Sequence, residues 1–218
     1  MGYVGFPGAP LFLMLGDSIT EIAADPHRLG FQSQLAADYI RKADVINRGI
    51  SGWTTKMWLR VLADLISEWK NKQPTLIVIF LGTNDASLPD GESKARHVPL
   101  EQYEANLKSI VAAFASAYPA CKFLILSPPP VNNGAWSPTD KSNTVMATYA
   151  AVCLRTAREL AIPAVDFYST LQGQWDLLAD GLHFNAKGMV VAHAMIAAKI
   201  KEAYPHLTPD ALPHEFEG

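Results

Sequence analysis

Short, continuous apolar runs alternate along this chain with longer stretches whose apolar positions recur every three or four residues. Residues 10–15 (PLFLML) are apolar throughout, too short for a helix, and stopped by Gly16. Residues 43–47, 75–81 (TLIVIFL), 122–126 (KFLIL) and 164–168 repeat the theme. Such runs suit strands buried on both faces. Between them, residues 54–70 place Trp58, Val61, Leu62, Leu65, Ile66 and Trp69 on one stripe. Residues 99–118 do the same with Tyr103, Leu107, Ile110, Val111, Phe114 and Tyr118, and Pro99 suits a first helical turn. Further helices are predicted over 32–41, 140–160 and 186–204. Strands interleaved with helices predict an α/β fold, a three-layer α/β/α sandwich around a central five-stranded parallel sheet.

No repeat, low-complexity segment or linker divides the 218 residues, so one domain is expected over 1–218. The tail after Tyr204, with Pro205, Pro209 and Pro213, is expected on the surface. At 49% hydrophobic the chain can bury a sizeable core. A net charge of −3 with no Lys/Arg block leaves no electrostatic footprint for nucleic acid or an anionic membrane. Cys121 and Cys153 make no disulfide framework and read as buried thiols in a reducing compartment. No basic stretch precedes the first apolar run, and Phe6 stands where a myristoylation motif wants Ser or Thr. No run reaches the ~18 residues of a membrane span. A soluble, cytoplasmic protein is expected.

The unusual residues fall in loops after the first three strands and near the C-terminus. Ser18 lies in Gly16-Asp17-Ser18-Ile19-Thr20, behind the first strand. Ser18-Ile19-Thr20-Glu21 also matches a capping box, which would make Ser18 a helix cap. Gly52 lies in Ile50-Ser51-Gly52-Trp53-Thr54, where a glycine lets backbone approach a ligand. Asn84 lies in Gly82-Thr83-Asn84-Asp85, and an amide at a strand's end can donate to a developing oxyanion. Asp180-Gly181-Leu182-His183 places a carboxylate within reach of one imidazole nitrogen, leaving the other for Ser18. Asn185 is placed to cap the last helix. Asp17, Asp85 and Asp166 are expected to shape loops, with Asp166 the alternative orienting acid. His27, His97, His193, His206 and His214 do not pair at ligand spacing with each other or with His183, so no metal and no cofactor is expected.

In this order along an alternating chain, these segments resemble the SGNH hydrolases, the GDSL lipase/esterase family, whose fold is flavodoxin-like. Ser18 in GDSIT is similar to the family's first-block serine, Gly52 in ISGWT to its second-block glycine, Asn84 in GTND to its third-block asparagine, and Asp180 and His183 in DGLH to its fifth-block pair. Gly49 is the alternative for the glycine. LGDSIT with Glu21, RGISGWTT, IFLGTNDA and LLADGLHFNAKG resemble the isoamyl-acetate-hydrolysing esterase subgroup. Ile19 replaces the leucine of the family name. The α/β-hydrolase alternative lacks a G-x-S-x-G elbow around Ser18.

The resemblance implies Ser18 as nucleophile, His183 as base and Asp180 as its orienter. Ser18, Gly52 and Asn84 would hold the oxyanion. The pocket walls are expected from the long loops 87–98 and 127–139, with Trp53, next to Gly52, and Trp136 as candidate apolar walls for a small ester. The substrate expected is a short-chain ester such as an acetate. A thioester, a lysophospholipid or an acetylated sugar is the alternative substrate, and an idle binding protein on the same fold is the reading from another class. Homodimerisation is left open.

Overall fold

The computed structural model describes residues 8–136 and 140–215. The N-terminal myristoylation reading and residues 137–139 of the second wall loop lie outside them. Five strands form one parallel sheet: β1 Leu11–Gly16, β2 Asp44–Gly49, β3 Leu76–Phe80, β4 Lys122–Leu126 and β5 Ala164–Val165. Their order is β2-β1-β3-β4-β5. Seven α-helices accompany them among the described residues: α1 Ser18–Ile22, α2 Phe31–Asp38, α3 Thr55–Glu68, α4 Leu100–Ala117, α5 Asn143–Glu159, α6 Phe167–Leu171 and α7 Ala186–Ala203.

Strand residues alternate between two cores. Leu13, Leu15, Ile77, Ile79, Phe123 and Ile125 face α3, α4 and α5. Phe12, Met14, Leu76, Val78, Phe80, Leu124 and Leu126 face α1, α2 and α7. Fully burying each such side chain contributes about 1.5–3 kcal/mol, so the continuous apolar runs mark strands with no solvent face. β2 is the exception. It lies at the sheet edge, is half-buried, and runs on to pair Arg48 with Leu15 and Gly49 with Gly16.

The other departures from the predicted limits have local causes. β5 stops at Val165, because the Asp166 carboxylate accepts the Ser169 N–H at 2.9 Å and turns the chain into α6. α2 ends at Asp38, and Arg41 takes a left-handed φ of 60°. α5 starts three residues late, at Asn143. Asp140 and Lys141 are left in the preceding loop, 1% and 6% exposed. The tail is tied down rather than merely laid on the surface: Tyr39 Oη donates to Leu207 O, and Lys42 Nζ to Pro209 O.

Strand order reverses between β1 and β3. In an open parallel sheet that switch point opens a crevice beyond the carboxyl ends of the strands. The loops carrying Ser18 and Asn84 leave from those two strands, and the Gly52 loop leaves from β2 beside them.

Candidate active site

Asp17, not Ser18, caps α1: its Oδ1 accepts the Ile19 N–H at 2.9 Å. The competing capping-box reading of Ser18 does not hold. Glu21 instead accepts the Ser51 N–H at 2.5 Å, tying α1 to the loop after β2. Ser18 is thereby the first helical residue, with its hydroxyl released from capping. Its Oγ lies 2.9 Å from His183 Nε2, and His183 Nδ1 lies 2.7 Å from Asp180 Oδ2. A carboxylate only accepts, so the ring proton belongs on Nδ1 and Nε2 accepts from Ser18. Asp180 Oδ1 also takes the N–H groups of Leu182 and His183 at 2.9 and 2.8 Å. Burial pushes the Asp180 carboxyl up, but these three hydrogen bonds outweigh it and hold the pKa below the usual carboxylate value. Asn185 caps α7 through the Gly188 N–H, which fixes the exit of the same loop. Asp166 caps α6 and takes no part in this chain of bonds.

The two glycines of the β2 loop separate clearly. A Cβ on Gly49 would stand 2.2 Å from Glu21 N and 2.8 Å from Asp17 O, so Gly49 lets α1 dock against β2. Gly52 has φ +80° and lines the cavity beside Ser18. Its N–H makes no hydrogen bond among the described residues. Asn84, 4% exposed, donates one amide N–H to Trp53 O at 3.1 Å, leaving the second without a partner there. Thr54 caps α3 next to it.

These groups share a cavity of about 280 Å³ lined by Ser18, Ile22, Gly52, Asn84, Trp136, Leu182 and His183, together with Ser51, Arg96 and Lys141. Trp136 stands edge-on to His183 at 5.7 Å and donates to Asp140 Oδ1 at 2.7 Å. Trp53 does not line the cavity. Its ring packs on Trp58 at 4.8 Å, and it contributes only its carbonyl, to Asn84.

Behind the cavity lie buried polar groups, among them Asp85, which the sequence expects to shape a loop as a hydrogen-bond acceptor. Asp85 accepts the Thr55 N–H and hydroxyl, and Asn106 Nδ2 continues the chain to Thr55 Oγ1. Lys141 Nζ donates to Ser87 Oγ at 2.9 Å. Burial raises the Asp17 and Asp85 carboxyls to about 7 and lowers the Lys141 ammonium. Arg96 and Lys141 carry no signal in the sequence, because cations usually lie at the solvated surface, yet both line the cavity. No cluster of His, Cys, Asp or Glu suited to a metal occurs among the described residues.

Residues 14–191 match the model of the GDSL-like lipase/acylhydrolase family. The chain belongs to that family. The isoamyl acetate-hydrolyzing esterase 1 homolog of Bos taurus is 34% identical over 92% of this chain and 86% of its own length. Its Homo sapiens counterpart is 34% identical over 82% of this chain and 76% of its own. Among solved structures, the lipase/acylhydrolase of Enterococcus faecalis superposes with a TM-score of 0.70 at 26% identity, covering 88% of this chain and 96% of the other. The acetylxylan esterase of Geobacillus stearothermophilus, at 22% identity and TM-score 0.68 over 88% and 95%, shares the fold. Esterase membership and a hydrolytic function follow for this GDSL chain. No helix among its described residues is long and apolar enough to cross a membrane.

Proposed function

We propose that this chain is a serine esterase that hydrolyses small carboxylic esters with short acyl groups, such as acetates, through an acyl-Ser18 intermediate. The observation that carries the reading is the continuous chain Ser18 Oγ–His183 Nε2 and His183 Nδ1–Asp180 Oδ2, at 2.9 and 2.7 Å, opening into a cavity of about 280 Å³. Ser18 Oγ attacks the ester carbonyl as His183 Nε2 takes its proton. Asp180 keeps the proton on Nδ1 and balances the imidazolium. The backbone N–H groups of Ser18 and Gly52, with the open Asn84 amide N–H, receive the oxyanion. His183 returns the proton to the leaving alcohol. Water, deprotonated by the same nitrogen, then attacks the acyl-serine and releases the acid and Ser18.

A small cavity supports a small ester. The isoamyl acetate name of the relatives supports the same class. A cytoplasmic site of action belongs to the proposal, supported by Cys121 and Cys153 being free and buried.

The test is turnover of 4-nitrophenyl acetate. Ser18→Ala should remove it while leaving the melting temperature in place. Asp180→Asn should lower kcat on the order of 10³- to 10⁴-fold by losing the tautomer, and Asp166→Asn should not. Wild-type rates from Ser18→Ala would end the proposal.

A further inference from the structure

The charge of the cavity wall is unlike what a neutral acetate ester needs. Besides His183, its charged lining groups are Arg96 and Lys141, both cations, and no carboxylate lines it among the described residues. Arg96 lies against Gly52: its Nη2, Cζ and Nε stand 3.0–3.2 Å from where a Gly52 Cβ would be. Arg28, Arg48 and Arg155 each contact a carboxylate, but Arg96 contacts none among the described residues. Its guanidinium therefore brings five N–H donors to the cavity mouth without a counter-charge.

Lys141 is the deeper of the two. Its side chain is 2% exposed, and one ammonium N–H is satisfied by Ser87 Oγ at 2.9 Å. Its only ion-pair contact among the described residues, Asp140 Oδ2, is 3.9 Å away, beyond hydrogen-bond reach, while Asp140 Oδ1 accepts from Trp136 Nε1. Asp17 and Asp85 act on the ammonium from behind the wall and do not line the cavity. Burying an ammonium is costly unless it is paired. An apolar ester would leave this one with an open donor facing the substrate.

We infer that the cavity selects esters that carry a carboxylate near the scissile bond, held between the Arg96 guanidinium and the Lys141 ammonium. The inference rests on the reading of Ser18 as nucleophile and deepens it. The class comprises monoesters of small dicarboxylic acids, with the charge on the acyl side, and O-acyl derivatives of small hydroxy acids, with the charge on the alcohol side. A carboxylate matches the planar guanidinium in a bidentate pair and leaves an oxygen for the ammonium.

Two matched pairs test it in a pH-stat: monomethyl succinate against methyl butanoate, and O-acetylglycolate against ethyl acetate. Each kcat/KM is divided by the ester's hydroxide-catalysed rate. The charged member of at least one pair should win by about ten-fold or more, the worth of one charge-assisted hydrogen bond. The winning pair tells which side carries the charge. Arg96→Gln, at an exposed position that tolerates change, should cut that charged-to-neutral ratio about ten-fold, chiefly through KM, and Arg96→Glu should cut it further. Added salt should lower the ratio in the wild type. Equal or neutral-favouring ratios in both pairs would overturn the inference. So would Arg96→Gln lowering charged and neutral esters by one factor in kcat, since the cations would then serve the oxyanion. Hydrolysis of the neutral esters in either case leaves the esterase reading standing. Failure to hydrolyse any of the four esters would instead strike that reading itself, and the inference with it.

Discussion

Ser18 shows how little a residue type says alone. In sequence it suits a cap as well as a nucleophile, and what separates the two is Asp17 taking the cap with its own carboxylate. Asn84 is likewise fixed by a neighbour, the Trp53 carbonyl. Asn84→Ala should lower kcat on the order of 10²- to 10³-fold with little change in KM, the usual loss for one oxyanion donor. A rise in KM with kcat intact would overturn the proposed oxyanion role of Asn84. The residues proposed to carry the chemistry were legible because Ser18, Gly52 and Asn84 follow strands in a fixed order and Asp180 lies three residues before His183. Trp53, Arg96 and Lys141 were not. An aromatic beside a glycine and a lysine before a helix carry no local signal of which way they face. That depends on Trp58 claiming the Trp53 ring and on Ser87 claiming the Lys141 ammonium.

The elements were legible wherever burial is complete. β1, β3 and β4 are apolar because helices cover both faces, and their limits follow the apolar runs closely. Edge strands β2 and β5 drifted because half-exposed residues lose that pattern and hydrogen bonds decide instead. Asp166 ends β5 by capping, and Asp140 and Lys141 delay α5 because each is held in the loop by a side-chain bond. The docking of α1 on β2 rests on Gly49. Gly49→Ala would drive a methyl into the Thr20–Glu21 backbone, at 2.2 Å from Glu21 N. Overpacking of this kind costs about 1–3 kcal/mol, or a fall in melting temperature of about 2–4 °C per kcal/mol for a chain this size. Calorimetry reads it directly. An unchanged melting temperature would mean that α1 does not sit against β2 as described.

Across the whole molecule, the carboxyl edge of the sheet holds buried charge that the apolar core does not need. Asp17 and Asp85, each raised by burial to about 7, bind more protons folded than unfolded between their ordinary value of 3.8 and 7. Stability from these protons is present in acid and is lost as pH rises through about 7. Asp17→Asn keeps the cap, since Asn caps as well as Asp, and removes one of the two titrations. Its melting temperature should fall less steeply than the wild type's between about pH 4 and 7. Parallel curves would show that Asp17 carries its charge throughout.

The central claim is that Ser18 is acylated by ester substrates. Intact and peptide mass spectrometry after treatment with a fluorophosphonate tests it most directly. The account predicts one adduct, on the peptide carrying Ser18, formed in step with loss of ester turnover and absent from Ser18→Ala and His183→Ala. No adduct on Ser18, or a full adduct with turnover undiminished, would contradict it.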